Sequence, residues 1–307
     1  MPTRPKVTVG ICTYHRNDEL ERLLNALDAL ARDANGQIDV RAVVVDDSAD
    51  ARARAIVEHL ATTMTYPLEY AHAGASNISV ARNLVLERGS IGADFLVLID
   101  DDCLPDPGWL RELLRIQSLT GADIVTGHRQ FLVAESAPAW LSNEPFCDEN
   151  SIYDDASEPP VGLTANVLIA VPWLVRSATT FRVSLGRTGG EDMAFFADAK
   201  RAGAAVRHAA QSVVREEFAS QRATLKYQMY RQFWLGNNSA VHSLSTHQFT
   251  RVRLVVRGAH HLVEAQRALA VRAIKRRPVQ WRWYIASMVR AIGLVVGALG
   301  VKIRHRS

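Results

Sequence analysis

Cysteine is scarce in these 307 residues. Cys12, Cys103 and Cys147 are widely spaced and form neither a zinc-ligand pattern nor a disulfide framework, which points to a reducing compartment. Repeats and low-complexity tracts are missing, and the composition is that of an ordinary globular chain, so disordered and collagen-like classes are excluded. No secretory signal peptide is visible, because Met1-Pro2-Thr3-Arg4 runs directly into a strand pattern. Glycine is absent where a phosphate loop would need it. After the first strand stands Cys12-Thr13-Tyr14-His15-Arg16, not G-x-G-x-x-G or a P-loop, which excludes a nicotinamide dehydrogenase and a P-loop kinase. A metal must then do the diphosphate work that such loops do with backbone N–H groups.

Acid is missing from the C-terminal stretch. From Arg251 to the end there are 13 Lys/Arg against one acid, Glu264, whereas the rest is net acidic. An acidic body with a basic tail suggests an anionic partner surface.

What is present is an alternation of strand and helix patterns. Lys6–Thr13 and residues 40–45 read as strands, 68–71 as a short one, and Phe95-Leu96-Val97-Leu98-Ile99 as a buried one. Between them lie a helix opening at Asn17 with Leu20, Leu23, Leu24, Leu27 and Leu30 on one face, a helix carrying Ile56, Val57 and Leu60, and a helix from Ser76 or Asn77 to a C-terminal cap at Gly89. Asp106-Pro107 predicts the start of a helix whose apolar face is Trp109, Leu110, Leu113 and Leu114, with Leu119 at its end. The order predicts an α/β fold with a mostly parallel sheet and flanking helices, of the kind that binds ligands beyond the carboxyl ends of its strands. Residues 123–133 and 161–171 read as further strands, separated by a long polar loop at 134–160 that shapes function or moves.

Three strands end in polar residues at that edge: Thr13-Tyr14, Asp46-Asp47 and Asp100-Asp101-Asp102. Three adjacent carboxylates need a counter-charge, and carboxylate oxygens suit hard cations such as Mg²⁺ and Mn²⁺. The competing reading is that these acids only cap turns and helices; it accounts for one group but not for two that end strands of one sheet.

The stretches ICTYHRNDELERLL, VVVDDS, ISVARN, FLVLIDDDCLPDPGWL, ADIVTG, TANVLI, GGEDMAFF and YRQFWLGN occur in that order. Over roughly residues 5–240 the chain resembles glycosyltransferases of family 2 with the GT-A, Rossmann-like fold, and among them bacterial exopolysaccharide enzymes of the succinoglycan glucosyltransferase type. The resemblance implies a metal-dependent inverting transfer of a sugar from a nucleotide sugar, in particular a UDP-sugar, to a saccharide acceptor, a lipid-linked oligosaccharide in surface polysaccharide synthesis. Thr13 and Tyr14 would pack around the base. Asp47 would hydrogen-bond it, with Asp46 as a second partner, and Arg82 would approach the nucleotide or its diphosphate. Asp100-Asp101-Asp102 matches the D-x-D motif: Asp102 would bind Mn²⁺ or Mg²⁺ directly. Asp100 or Asp101 would face the ribose or a metal-bound water, with Asp100 the candidate second ligand. In the Gly189-Gly190-Glu191-Asp192 segment, Asp192 would be the general base with Glu191 beside it; the alternative is that both cap a helix. Gln232 and Trp234 match a segment near the acceptor and diphosphate; Trp234 would stack on a sugar or, as the favoured alternative, fill the core. Asn166 would touch donor or acceptor, or only bond backbone. His208 and His242 remain open as a third metal ligand.

These readings place a catalytic domain at residues 1–245 and a basic helical region at 246–307. In that region Trp281-Arg282-Trp283-Tyr284 opens an apolar run interrupted by Arg290. It reads as an amphipathic helix on an anionic membrane, at the cytoplasmic face of the inner membrane; a helix packed on the body and a single spanning helix are the alternatives. Nucleic acid is not expected as a partner. The rival functions are a sugar nucleotidylyltransferase, which would carry a Gly-rich start after strand one, and a non-catalytic nucleotide-sugar-binding scaffold, which would need no base.

Overall fold

In the computed structural model the chain divides into two compact units, Met1–Leu132 with Asn150–Gly186 and Glu191–Glu217, and Val133–Glu149 with Arg187–Gly190 and Phe218–Ser307. The residues described are 4–33, 36–133, 137–143, 153–159, 162, 164–217, 222–246, 249–274 and 281–303. The expected boundary at 245/246 falls inside the second unit.

The first unit follows the predicted alternation: β1 (Lys6–Thr13), α1 (Asn17–Asp33), β2 (Asp39–Asp46), α2 (Arg54–Leu60), β3 (Leu68–His72), α3 (Ile78–Ser90), β4 (Phe95–Asp100), β5 (Cys103–Pro105), α4 (Trp109–Thr120) and β6 (Ile124–Leu132). The short helix α5 (Trp140–Asn143) belongs to the second unit, and the first continues with β7 (Asn166–Ala170), α6 (Val171–Ser177), a 3₁₀ turn at Val183–Leu185, α7 (Glu191–Arg201) and β8 (Val206–Glu217). Among the described residues the strands form one sheet in the order β3-β2-β1-β4-β7-β6-β8-β5. Strands β1 to β4 run parallel, β7 is antiparallel to both neighbours, and β6 and β8 are again parallel.

Strand alternation builds two cores. Val44, Val97 and Ile99 pack on one face with Leu20, Leu23, Leu24 and Leu27 of α1 and Trp109, Leu113 and Ile116 of α4. Val43, Val45, Leu96 and Leu98 face the other way, with Ala81, Val85 and Leu86 of α3 and Phe195 of α7. Both faces are covered, so these strands are apolar without interruption. Each fully buried Leu contributes about 2 kcal/mol relative to exposure.

Several local expectations are corrected. Gly89 is not a left-handed cap; it lies inside α3, where a Cβ would come 2.5 Å from Leu96 Cδ1, so its missing side chain lets the helix approach the sheet. The helix expected at Asp106-Pro107 begins at Trp109 behind Gly108, which has φ 83. The Asp106 carboxylate is held instead by Arg215, at 2.7 and 2.8 Å. Leu119 is 68 % exposed and lies off the apolar face. The strand expected at 161–171 begins at Asn166. Cys147 and much of the 134–160 loop lie outside the described residues.

The second unit is helical: α5 with α8 (Leu225–Ser245), α9 (Arg251–Ile274) and α10 (Trp281–Ala298). Helices α8 and α10 cross with almost nothing between their backbones. A Cβ on Gly236 would lie 1.9 Å from the Arg290 carbonyl oxygen, and one on Gly293 2.0 Å from that of Phe233. Ala240, Leu254, Leu294 and Ala298 form the core shared by α8, α9 and α10. Beyond α10, Asn237 pins the chain by donating to the Val301 carbonyl at 2.9 Å and accepting from Ile303 N at 3.1 Å. No helix among the described residues is long and apolar enough to cross a membrane, so the single-span alternative is not realised there.

Candidate active site

Sheet register aligns the predicted residues. Thr13 pairs with Asp46, Cys12 with Asp100, and Ile99 with Asn166, so the carboxyl ends of β1, β2 and β4 and the start of β7 lie at one edge.

The two acids after β2 do different work. Asp46 is fully buried. Its Oδ1 accepts from Ser48 N and Oγ, and its Oδ2 from Ala53 N at 2.8 Å and the Tyr70 hydroxyl at 3.2 Å. The Asp46 oxygens, expected as a second partner of a base, are taken up by the turn before α2 and by Tyr70. Asp47 accepts from Ala75 N at 2.9 Å and Asn77 N at 2.6 Å, ordering the loop ahead of α3. Burial raises its pKa against those bonds, and a carboxylate with about four acceptor sites keeps capacity for another donor. Tyr14 is exposed at the end of β1, ring to ring with His15 at 4.3 Å.

The end of β4 splits the acidic triplet: Asp100 is the last strand residue, and Asp101 and Asp102 lie in the turn that follows. Asp101 is buried, accepting from Thr13 Oγ1 at 2.8 Å and Arg16 Nη1 at 3.1 Å. Burial pushes its pKa up to about 7, with Arg16 opposing. Asp102 takes the same Arg16 nitrogen at 2.5 Å. Asp100 turns instead toward Arg82 Nη2, at 3.4 Å.

Arg82 joins this strand end to the start of α7. Its Nη1 is 2.6 Å from Glu191 Oε1 and 3.7 Å from Asp192 Oδ1, and its guanidinium lies 5.5 Å from the Phe181 ring centre. Arg82, expected to approach the nucleotide or its diphosphate, is here engaged by carboxylates of its own chain. The side chain is buried, and its planar fork is used on three carboxylates. Burial and the neighbouring Asp192 push the Glu191 pKa up to about 8. For Asp192 burial is the largest influence and acts upward, but the Arg82 charge together with hydrogen bonds from Glu191 and the Asp192 backbone N–H outweighs it, and the pKa is lowered. The N-terminus of α7 favours an anion at the same place, and Thr164 Oγ1 donates to Asp192 Oδ2 at 3.4 Å. The two neighbours are thus pushed in opposite directions, Glu191 toward holding a proton and Asp192 toward the ionised form.

The remaining predicted residues divide. Asn166 is buried; it donates to the carbonyls of His128 and Ser212 at 3.0 and 2.9 Å and accepts from Trp109 Nε1 at 2.8 Å. Of the two expected roles, the backbone-bonding one is the one these contacts display. Gln232 is buried in α8. Trp234 Nε1 donates to the Thr188 carbonyl at 3.1 Å, and a Cβ on Gly189 would meet its ring at 2.3 Å. Trp234 therefore seats the turn that runs directly into Glu191 and Asp192. His208 is buried against Thr126 Oγ1 at 3.0 Å, and neither it nor His242 belongs to a metal-binding group among the described residues.

The Glycosyl transferase family 2 model matches residues 8–172. The succinoglycan biosynthesis protein ExoM of Rhizobium meliloti (strain 1021) is 32% identical over 259 residues, covering 84% of this chain and 78% of that protein. The chain belongs to glycosyl transferase family 2. Solved structures of S. aureus TarS share the GT-A type of fold. TarS 1–349 in complex with UDP has a TM-score of 0.55 at 13% identity, covering 94% of this chain and 90% of that one. TarS 1–349 in complex with UDP-GlcNAc has a TM-score of 0.53 at 14% identity, covering 75% and 66%. The longer TarS structure is matched over only 39% of its length, at a TM-score of 0.53.

In this family 2 glycosyltransferase the donor set fits a hard divalent cation. The ligand atoms of Asp102, Cys103 and Glu216 all lie within 4.8 Å of one another. Burial holds the Cys103 thiol well above its ordinary pKa, so it stays protonated; the two carboxylates supply the oxygens that Mg²⁺ or Mn²⁺ prefers. Arg16 beside Asp102 and Arg129, 3.3 Å from Glu216 Oε2, balance that charge. Arg16, Thr164 and Glu216 are the residues that sequence reasoning missed. Arg16 and Thr164 lie within the quoted ICTYHRN and TANVLI stretches, whereas Glu216 is the penultimate residue of β8 and belongs to no motif.

Proposed function

We propose that this protein is an inverting, metal-dependent glycosyltransferase. It transfers a sugar from a UDP-sugar to a lipid-linked saccharide at the cytoplasmic face of the inner membrane, in exopolysaccharide synthesis. The observation that carries the reading is the Arg82 network, which ties Asp100 of the D-x-D strand to Glu191 and Asp192. The acids proposed for the donor side and the acceptor side thereby share one guanidinium. The polysaccharide context is supported by the name of the R. meliloti relative, and UDP by the TarS complexes.

Tyr14 and Asp47 flank the place for the base. Asp102 and Asp100 would hold Mn²⁺ or Mg²⁺, with Glu216 as a further carboxylate; the bound cation neutralises the leaving diphosphate. Ionised Asp192 takes the proton of the acceptor hydroxyl. That oxygen attacks the anomeric carbon from the face opposite UDP, the bond from carbon to the diphosphate oxygen breaks, and the configuration inverts. Catalysis belongs to residues 1–245, and the basic region 246–307 serves attachment.

The test is UDP release from a panel of UDP-sugars with Mn²⁺ present. One donor should be turned over, a chelator should stop it, and Asp102→Ala should abolish it. Full activity in Asp102→Ala would sink the metal assignment.

A further inference from the structure

Helix α9 carries two apolar faces where a surface helix needs one. Leu254, Gly258 and Ala265 are buried on the first. On the second, Val252 is 73 % exposed, Val256 62 %, Val263 59 % and Ile274 82 %. With the exposed Ala259 and Ala270, these residues fall within an arc of about 60° at the helical repeat. Helix α10 repeats the pattern: Trp281, Ile285 and Ile292 are exposed at spacings that keep one side, and Leu299 continues the row beyond its end. The α9 stripe is bordered by exposed Arg253, Arg257, His260 and Arg267. The sole acid of the tail, Glu264, lies 3.6 Å from Arg267. On α10 the Arg282 guanidinium stacks on Trp281 at 4.7 Å, an amphipathic pair suited to a lipid headgroup layer.

We propose that the exposed stripes of α9 and α10 are a docking surface for an anionic phospholipid bilayer, entered from one side and not crossed. The inference rests on the reading that the acceptor is carried on a membrane lipid, and it names the surface that brings the enzyme to it. Apolar side chains enter the boundary between headgroups and acyl chains while arginines reach the phosphates. Charge selects this occupant over a second copy of the chain. Two copies paired through the stripe would oppose their arginine borders with one acid each to relieve them.

Flotation of the full-length protein with phosphatidylcholine vesicles, with and without phosphatidylglycerol, tests this. The protein should float with the anionic vesicles and be released by salt. Val256→Glu with Val263→Glu changes only exposed positions and should weaken binding more than about tenfold. Replacing Arg253, Arg257 and Arg267 by Gln should weaken it about a hundredfold. Circular dichroism and UDP release in solution should be unchanged in both variants. Absence of flotation, or equal flotation of the variants, would overturn the surface. So would a dimer in sedimentation that the glutamate pair dissolves, or duplex DNA bound in preference to vesicles. Flotation without UDP release would instead remove the catalytic reading and leave the surface standing.

Discussion

Arg82 Nη1 sits 2.6 Å from Glu191 Oε1, joining residues 109 apart in the chain. Both side chains are nine-tenths or more buried, and Asp100 and Asp192 share the same guanidinium. Removing one partner of a buried ion network leaves charge without compensation and costs about 3–5 kcal/mol. Arg82→Met should therefore lose about that much stability in urea denaturation. Arg82→Lys, with one point charge in place of a fork, should recover only part. If Arg82→Met weakened UDP binding while stability stayed unchanged, Arg82 would be a nucleotide contact after all.

The proton on Glu191 separates the roles of two adjacent acids. With its pKa near 8, Glu191 is neutral at pH 7, and glutamine imitates it. Glu191→Gln should keep most of kcat at neutral pH. Asp192→Asn should lose about 10²–10⁴-fold in kcat, because the acceptor hydroxyl has lost its base, while UDP still raises the melting temperature. Steady-state kinetics on both variants checks the assignment; the opposite ranking would move the base to Glu191.

Periodicity made the elements legible. Leu20, Leu23, Leu24 and Leu27 mark one face of α1, and alternating residues of β2 and β4 build the two cores. The triplet was legible as a site because three carboxylates at a strand end demand a partner. What that partner is depends on strand order, which no local pattern carries. Arg16, from the turn after β1, takes Asp101 and Asp102, and Arg82, from α3, takes Asp100. Asp46 and Asp47 look alike in sequence, yet alternation commits one to the turn before α2 and the other to the loop before α3. Glu216 reaches Asp102 only through the antiparallel pairing of β5 with β8, in which it sits opposite Cys103. Asn166 reads as a polar residue at a strand start, and only the packed structure fills its hydrogen-bonding positions.

The crossing of α8 and α10 is predicted to reject even one methyl group. A Cβ at Gly293 would meet the Phe233 carbonyl, which is helix backbone and does not yield. Alanine favours helix by about 1 kcal/mol over glycine, so an open site would gain stability. Here the overlap should win, and Gly293→Ala should lose about 1–3 kcal/mol. Gly89→Ala, facing the movable tip of Leu96, should lose less. Chemical denaturation of both variants gives the order, and a more stable Gly293→Ala would mean that the helices are not in backbone contact.

His208 sets a pH window for stability. Burial in β8, with His128 nearby, lowers its pKa from 6.5 to about 4. Between those values the unfolded chain binds a proton that the folded chain refuses, so unfolding takes up a proton and stability falls as pH falls. Below about 4 both states are protonated and the contribution is already lost. Above 6.5 both are neutral and it is fully present. His208→Gln keeps a partner for Thr126 Oγ1, which lies 3.0 Å from the imidazole, but has nothing to titrate. The difference in unfolding free energy between wild type and His208→Gln should therefore change across that window and stay level above it. A single group sets a limit of about 1.4 kcal/mol per pH unit on the slope. A difference that stays level from neutral pH down to 4 would mean that the folded protein protonates His208 as readily as the unfolded chain does.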